Sequence, residues 1–473
     1  MLEFVPDNNA FYENHENSES IVEGIKLVAK SDTKDESEQL QFTTFGKSYT
    51  FQVIPTNSIF SPSFKILQSK IQGDGDEEVE YFSLQELESL TGAFYTDING
   101  QGSFYVQQVN GQIQMEGIVD DTIRIWNSDG YHMASKISNH NSRIDVSMIG
   151  DIYNHSFAKI IPDHKVAMVE VLVLLDQIVY RNLTKHQTAI KKYLGIFWNF
   201  VQNKFRATSK PKVQLSLSAV VVLDNLKWIS DSFILFNTPD ANTILDNMGH
   251  WLYQNQIRHP KYDVAILQTG LDLARVHNNQ LGREIAGVAL TTGVCKKNDI
   301  TQRMLNCGII EDFNAPLYLG AFTGAHELAH ILGSHHDDPS ECTKDSIMAA
   351  IKPKLNANVL TFSDCSLNAI RRQLNHPDAS CVYNTPHSEI PILPEVPNLT
   401  RDEMCKLKFG ENSKSASKVI YNQLKKDICS VVLCFQSSGP RRSIKSLKWV
   451  PEGTSCFSGK VCIQGNCIKD SSS

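Results

Sequence analysis

The first 294 residues of this 473-residue chain contain no cysteine, because all eleven lie between Cys295 and Cys467. That absence excludes a disulfide framework from the N-terminal part and divides the chain chemically. An apolar h-region is missing as well. The opening MLEFVPDNNAFYENHENSES and the residues up to 30 show none, so no signal peptide is visible and a trimmed N-terminus is expected. No hydrophobic run is long enough to span a bilayer. The longest, Val166 to Tyr180, is broken by Glu170 and Asp176, so a soluble mature protein without membrane contact is expected. Positive charge is not in excess either. A net charge of -7 and a pI near 6.1 give no electrostatic ground for a nucleic-acid partner, which needs a concentrated basic surface. There is no RGD tripeptide, so integrin binding is not implied.

The chain is long enough for two or three domains, and 41% hydrophobic residues suffice to give each a core. The dense C-terminal cysteines predict disulfides and hence the secretory pathway. The sequons at Asn154, Asn182 and Asn398 agree with a secreted glycoprotein. Residues 1 to about 160 read as β-rich, with strands in 45–55, 102–119 and 121–126; the acidic run Asp74, Asp76, Glu77, Glu78 reads as a solvated loop. From about 165 the pattern alternates. Strands are predicted at 169–176, 213–223 and 262–270, and helices at 186–205 and 241–257, which is an α/β domain. Prolines 386, 391, 394 and 397 predict an extended linker, and six cysteines from Cys405 to Cys467 a small stapled module.

The chemistry concentrates in HELAHILGSHHDD, residues 326–338. Asn314 and Pro316 can start a helix on which His326 and His330, one turn apart, project to the same side and can hold one metal ion. Glu327 sits beside them without being placed to ligate, and is suited to take a proton from water at the metal. A catalytic zinc needs a third protein ligand. Gly333 can end the helix and turn the chain back toward the ion, but spacing alone leaves His335 and His336 as equal candidates.

The run from His326 to Asp337 resembles the metzincin pattern H-E-x-x-H-x-x-G-x-x-H, with the following Asp typical of the adamalysin (reprolysin, ADAM and ADAMTS) branch. Average residue usage gives a bare H-E-x-x-H in about one chain in a hundred of this length, and the added Gly and His lower that by roughly a thousandfold. The resemblance places the third zinc ligand on His336 and identifies Ser346 to Ala350 as the Met-turn, with Met348 beneath the metal. It implies a secreted zinc metalloendopeptidase acting on extracellular proteins or peptides, with Glu327 as general base. The alternative is a catalytically inactive secreted binding protein that uses the same fold and tail. The implied fold is an α/β (α+β) metzincin catalytic domain at 165–385 with a mixed five-stranded sheet and an active-site helix. Around it are a β-rich propeptide-like domain at 1–160, a Pro-rich linker at 386–400 and a cysteine-rich or disintegrin-like module at 401–473. The stretch 287–295 resembles the edge strand that pairs with extended substrate.

The same resemblance implies a calcium site from Glu170, Asp263, the Cys381 carbonyl and Asn384, and disulfides Cys295–Cys381 and Cys342–Cys365, with Cys307 left over. It also implies a zymogen, yet the propeptide-like part has no thiol to silence zinc, so any inhibition must act by steric cover or another ligand. No dibasic site lies between 140 and 168, so any processing uses a different cut. The tail's six cysteines permit 15 pairings. Arg441, Arg442, Lys445 and Lys448 form either an exosite for acidic matrix polysaccharide or a solvated basic loop, the second being the commoner case. No thrombospondin-like repeat follows, which favours a short form of the kind found among arthropod venom and salivary members.

Overall fold

A computed structural model of the chain describes residues 19–29, 38–56, 59–71, 79–84, 90–98, 100–119, 122–128, 131–136, 144–149, 166–185, 189–208, 210–224, 227–234, 238–277, 280–283, 285–313, 315, 317–337, 342, 346–349, 361–384, 400–409, 412–424, 428–429, 432–438, 441–447, 450, 454–457, 459–463 and 466–469. Among the described residues the N-terminal part is built of strands. They are β1 (Glu19–Ile21), β2 (Glu23–Ala29), β3 (Glu38–Thr44), β4 (Lys47–Pro55), β5 (Phe60–Ile71), β6 (Val79–Ser83), β7 (Ala93–Asp97), β8 (Gly102–Val109), β9 (Gln112–Val119), β10 (Ile123–Ser128), β11 (Tyr131–Lys136) and β12 (Ile144–Ile149). Nine of them build an antiparallel sheet in the order β1-β11-β10-β9-β8-β7-β4-β3-β2. Residues 102–119 make a hairpin within it. Asn110 and Gly111 take φ of 51° and 78°, the left-handed pair that a two-residue turn needs to match the strand twist.

The chain then alternates: β13 (Val166–Leu175), α1 (Gln177–Lys185), α2 (Ile190–Phe205), β14 (Lys212–Val222), α3 (Ala241–Gln254), β15 (Val264–Thr269), β16 (Ile285–Thr291), β17 (Cys307–Glu311), α4 (Ala321–Ile331) and α5 (Asp364–Leu374). On β13 successive side chains alternate between two apolar layers. Val171 and Val173 belong to the same core as residues of α2 and α4, while Leu172 and Leu174 share the opposite core with Ile244, Met248 and Trp251 of α3. Burial on both faces explains why β13 reads as an apolar run broken only by Glu170, while β14 alternates with Gln214, Ser216 and Ser218 before ending in Val220–Val222.

These strands do not stand alone. The sheet has eight strands in the order β12-β16-β17-β15-β13-β14-β5-β6. Residues 166–311 supply the middle five, with β16 antiparallel to β17 and the others parallel. The N-terminal part extends this set at both edges, with β5 parallel to β14 and β12 parallel to β16. A five-stranded sheet therefore describes only the share of residues 165–385, and the expected boundary near 160–165 falls inside one continuous sheet. Helix α2 lies between the two sheets, packing on β14 on one side and on β7, β8 and β9 on the other.

The tail has three small apolar clusters of its own, and its helix also touches β4. Helix α6 (Arg401–Phe409) packs on a sheet of Lys414–Ser415, Val432–Ser438 and Arg441–Leu447, followed by the hairpin Lys460–Ile463 and Asn466–Lys469. Of the fifteen pairings the structure has Cys405–Cys434, Cys429–Cys462 and Cys456–Cys467. A module this small buries little apolar surface, and the sulfurs of Cys429, Cys456 and Cys462 form one of its clusters. Among the described residues no helix is long and apolar enough to cross a membrane.

Candidate active site and metal centre

The site lies where α4 packs on β16 and β17. Asp312, just past β17, sets the start of that helix. Its buried carboxylate accepts from Gly320 N–H at 3.2 Å, from Gln268 Nε2 at 3.3 Å and from the Tyr193 hydroxyl. Burial pushes this carboxyl up to about 7. Residues 317–320 are not helical, so the helix starts later than expected. Tyr318 takes φ 58°, Gly320 occupies the cap position, and α4 begins at Ala321. Asn314 and Pro316 lie outside the described residues.

From α4, His326 and His330 bring their Nε2 atoms to 3.1 Å from each other, and His336 brings its Nε2 to 3.2 Å from that of His330. The opposite ring nitrogens face carbonyl oxygens: His326 Nδ1 is 2.5 Å from Ile347 O and His330 Nδ1 is 2.7 Å from Ser334 O. A carbonyl only accepts, so each Nδ1 carries the proton, and in the neutral ring Nε2 is then a bare acceptor. Acceptors about 3 Å apart repel unless a cation lies between them. Three imidazoles at about 2.0–2.1 Å from one tetrahedral centre stand roughly 3.3–3.4 Å from each other, close to the separations found. The donor set fits zinc, and the carbonyls supply the orienting bonds that ligating histidines need.

His336 reaches this point through the end of α4. Ser334 N–H bonds Ala329 O at 2.9 Å and Gly333 N–H bonds His330 O at 2.9 Å, the paired closure of a Schellman turn. Gly333 sits at φ 110°, and a Cβ there would lie 2.4 Å from Gln373 Cβ, so glycine is required on both counts. The turn leaves His335 exposed and half-buries His336 among the other two rings.

Asp337 then ties the third histidine to the Met-turn. Its backbone N–H bonds Met348 O at 2.9 Å, and its carboxylate accepts from the hydroxyls of Ser346, of Ser363 at 2.6 Å and of Ser366 at 2.8 Å. Met348 is buried, and Ile347 before it offers the carbonyl that faces His326. The residues that hold the histidines are thus Asp337, Ser346, Ser363, Ser366 and two backbone carbonyls. Sequence spacing does not point to the serines, because they meet Asp337 only through the fold.

Glu327 is buried and lies against the edge of the sheet: a Cβ on Gly287 of β16 would be 2.5 Å from Glu327 Oε1 and 2.8 Å from Thr323 Cγ2. Glycine there lets the strand close on the carboxylate. The outer edge of β16 is paired with β12, in parallel, from Ile144–Ile285 to Ile149–Thr291. No strand was expected at 144–149 from the sequence.

Away from the histidines, Glu170 on β13 and Asp263, just before β15, are neighbours. Glu170 N–H donates to Asp263 Oδ2 at 2.9 Å, and Asp263 N–H to Glu170 O at 2.8 Å. Burial pushes Asp263 up to about 7 and raises Glu170. Cys381 lies in the 3-10 turn Pro377–Tyr383, which packs on β13, and its carbonyl accepts from the N–H of exposed Asn384 at 3.3 Å. Cys295 is bonded to Cys381 and Cys342 to Cys365, while Cys307 is a buried free thiol. Asn182 is half-buried and donates to Phe313 O at 3.0 Å. Asn154, Asn398, Lys448 and the side chains of Arg441, Arg442 and Lys445 lie outside the described residues.

Comparison with known proteins gives this geometry a family. Residues 167–386 match the Reprolysin (M12B) family zinc metalloprotease, and residues 398–468 match ADAMTS cysteine-rich domain 2. A Bombyx mori protein named "A disintegrin and metalloproteinase with thrombospondin motifs like" is 26% identical over 319 residues, covering 64% of this chain and 44% of that protein. Human "A disintegrin and metalloproteinase with thrombospondin motifs 8" is 28% identical over 282 residues, covering 55% of this chain and 29% of its own length. "Zinc metalloproteinase-disintegrin-like atrase-B" of Naja atra is 29% identical over 228 residues, covering 48% and 34%. The chain spans less than half the length of these curated relatives. Residues 167–386 thus form a domain of the adamalysin/reprolysin family of zinc metalloproteases, followed by an ADAMTS-type cysteine-rich domain.

Proposed function

We propose that the chain is a secreted zinc endopeptidase, hydrolysing extracellular proteins or peptides, that is kept latent by its own N-terminal segment. The observation that carries this reading is the convergence of His326, His330 and His336 beside a buried Glu327. Zinc, when bound, would supply Lewis acidity toward a peptide carbonyl and toward water. Glu327 takes the proton of the attacking water and returns it to the leaving amine, from a carboxylate held between α4 and the β16 edge. Strand β16 aligns the substrate by strand addition. Calcium is the proposed occupant beside Glu170, Asp263, the Cys381 carbonyl and Asn384, since a cation there would offset the cost of two neighbouring half-buried or buried carboxylates. Five disulfides favour an oxidising compartment.

The test is digestion of a denatured protein substrate by the processed protein, with and without a zinc chelator. Cleavage is expected, and the chelator should abolish it. Chelator-insensitive binding without cleavage would favour the inactive binding protein instead.

Latency needs no thiol here, because β12 already takes the edge of β16 where a peptide would add. Proline cannot donate to a ladder, so Val146→Pro should loosen β12 without touching the metal site. The uncut variant is expected to cleave a short peptide severalfold faster than the uncut parent. An unchanged rate would refute cover by this strand.

A further inference from the structure

Helix α2 has the sequence of a helix with a wet side, IKKYLGIFWNFVQNKF, yet every residue in it except Lys191 is buried. The polar side that a surface helix leaves in water is met here by the N-terminal sheet. Lys192 Nζ is 2.8 Å from Glu116 Oε1, with side chains only 9% and 16% exposed. Asn203 Nδ2 donates to Asp97 O at 2.9 Å, Lys204 Nζ to Gly100 O at 2.8 Å, and Arg206 to Thr96 Oγ1 at 3.2 Å. Gly195 admits the Phe94 ring so closely that a Cβ would lie 2.3 Å from it.

The same segment completes the sheet. β5 pairs with β14 from Lys65–Ala219 to Gln68–Val222, and Leu67 joins the apolar layer of Leu172, Leu174 and Val221. Tyr81 on β6 holds His259 Nδ1 at 2.5 Å, with the His259 ring packed on Trp251. Ile59, Phe94, Tyr105 and Ile118 belong to the same core as α2 and α4. Dissociation would bare the backbone edge of β14, strip partners from the buried Lys192 and Lys204 and the half-buried Arg206, and open a shared apolar core. A surface built for release has none of these features.

We propose that residues 19–136 remain docked on β14 and α2 after any cut within 150–165, as a permanent non-covalent subunit of the protease domain. Only β12, held at the far edge by backbone pairing, is then left to leave the cleft. The proposal uses the propeptide-like reading only for the occasion of the cut, and association is measured without reference to peptide hydrolysis.

The experiment takes the full chain with a site-specific protease sequence inserted between 150 and 165, cut to completion and passed over a sizing column. Both fragments are expected to co-elute at the volume of the uncut chain at sub-micromolar concentration. Separation of the fragments, with the C-terminal one still folded, would overturn the proposal. In the cut chain Lys192→Glu should weaken fragment association at least roughly a hundredfold, as expected for breaking a nearly buried pair, and adding Glu116→Lys should restore most of it. Should Lys192→Glu fail to fold, Tyr81→Phe serves in its place, with a weakening of about tenfold expected. Unaltered association in the folded charge variant would exclude α2 as the docking surface. If the fragments stay together but no peptide is cleaved, the protease reading fails and the subunit stands.

Discussion

Glu327→Ala is expected to keep about one zinc per chain and to lose about 10²–10⁴ in kcat/KM for a peptide substrate. Glu327 follows His326 directly, so on the helix its side chain is about 100° away from the ligand face and cannot share the ion with His326 and His330. It faces β16, where the missing Cβ of Gly287 leaves room for its carboxylate at the edge proposed to align substrate. Alanine is the best helix former, and removing a buried carboxylate relieves a desolvation cost, so the variant should unfold at a temperature no lower than the parent. Three measurements separate the outcomes: metal content, thermal midpoint and hydrolysis rate. Retained zinc and stability with lost hydrolysis locate the role in proton transfer. Full activity in the variant would sink the mechanism, and loss of zinc would turn Glu327 into a structural residue of the metal site.

The parts of this molecule that were legible in the sequence are those fixed by local chemistry. The strands of residues 166–269 announce themselves through apolar runs, and α2 and α3 through their period, because burial on one or two faces is written directly into residue type. The histidine spacing is equally local, since one helical turn and one glycine bring three rings together. What stayed hidden depends on distant partners. Asp337 was visible as a family residue and Ser346 as the start of the expected Met-turn, but nothing pairs them, and Ser363 and Ser366, 26 and 29 positions away, carry no signal of their own. The start of α4 was misplaced because Asn314 has good capping chemistry, whereas the actual anchor is Asp312, gripped by Tyr193 and Gln268 from other elements. The division at 160–165 follows composition and the motif, and composition does not reveal that β5, β6 and β12 extend the sheet of the following segment. Strand partners chosen across a hundred residues are a property of the assembled fold.

His336→Ala should lose zinc, and His335→Ala should keep it. The two residues are adjacent, of one type and equally able to ligate in isolation, so the difference lies entirely in the turn that presents them. Gly333 at φ 110° closes α4 with paired bonds to Ala329 and His330, and that closure fixes the direction of each following residue. His336 then places Nε2 at 3.2 Å from His330 Nε2, while His335 points away and is exposed. Removing one of three protein ligands should cost more than the about 10–100-fold in affinity lost with a supporting partner, whereas an exposed histidine away from the site should change stability by no more than about 0.5 kcal/mol. Zinc retention during dialysis against a weak chelator, read by metal analysis, decides the matter alongside thermal midpoints for both variants. The reverse pattern, with His335→Ala emptied and His336→Ala loaded, would shift the register by one residue. It would also contradict the anchoring of Asp337 on the Met-turn, because a chain turned to offer His335 could not keep the Asp337 N–H on Met348 O at 2.9 Å and its carboxylate on three serines.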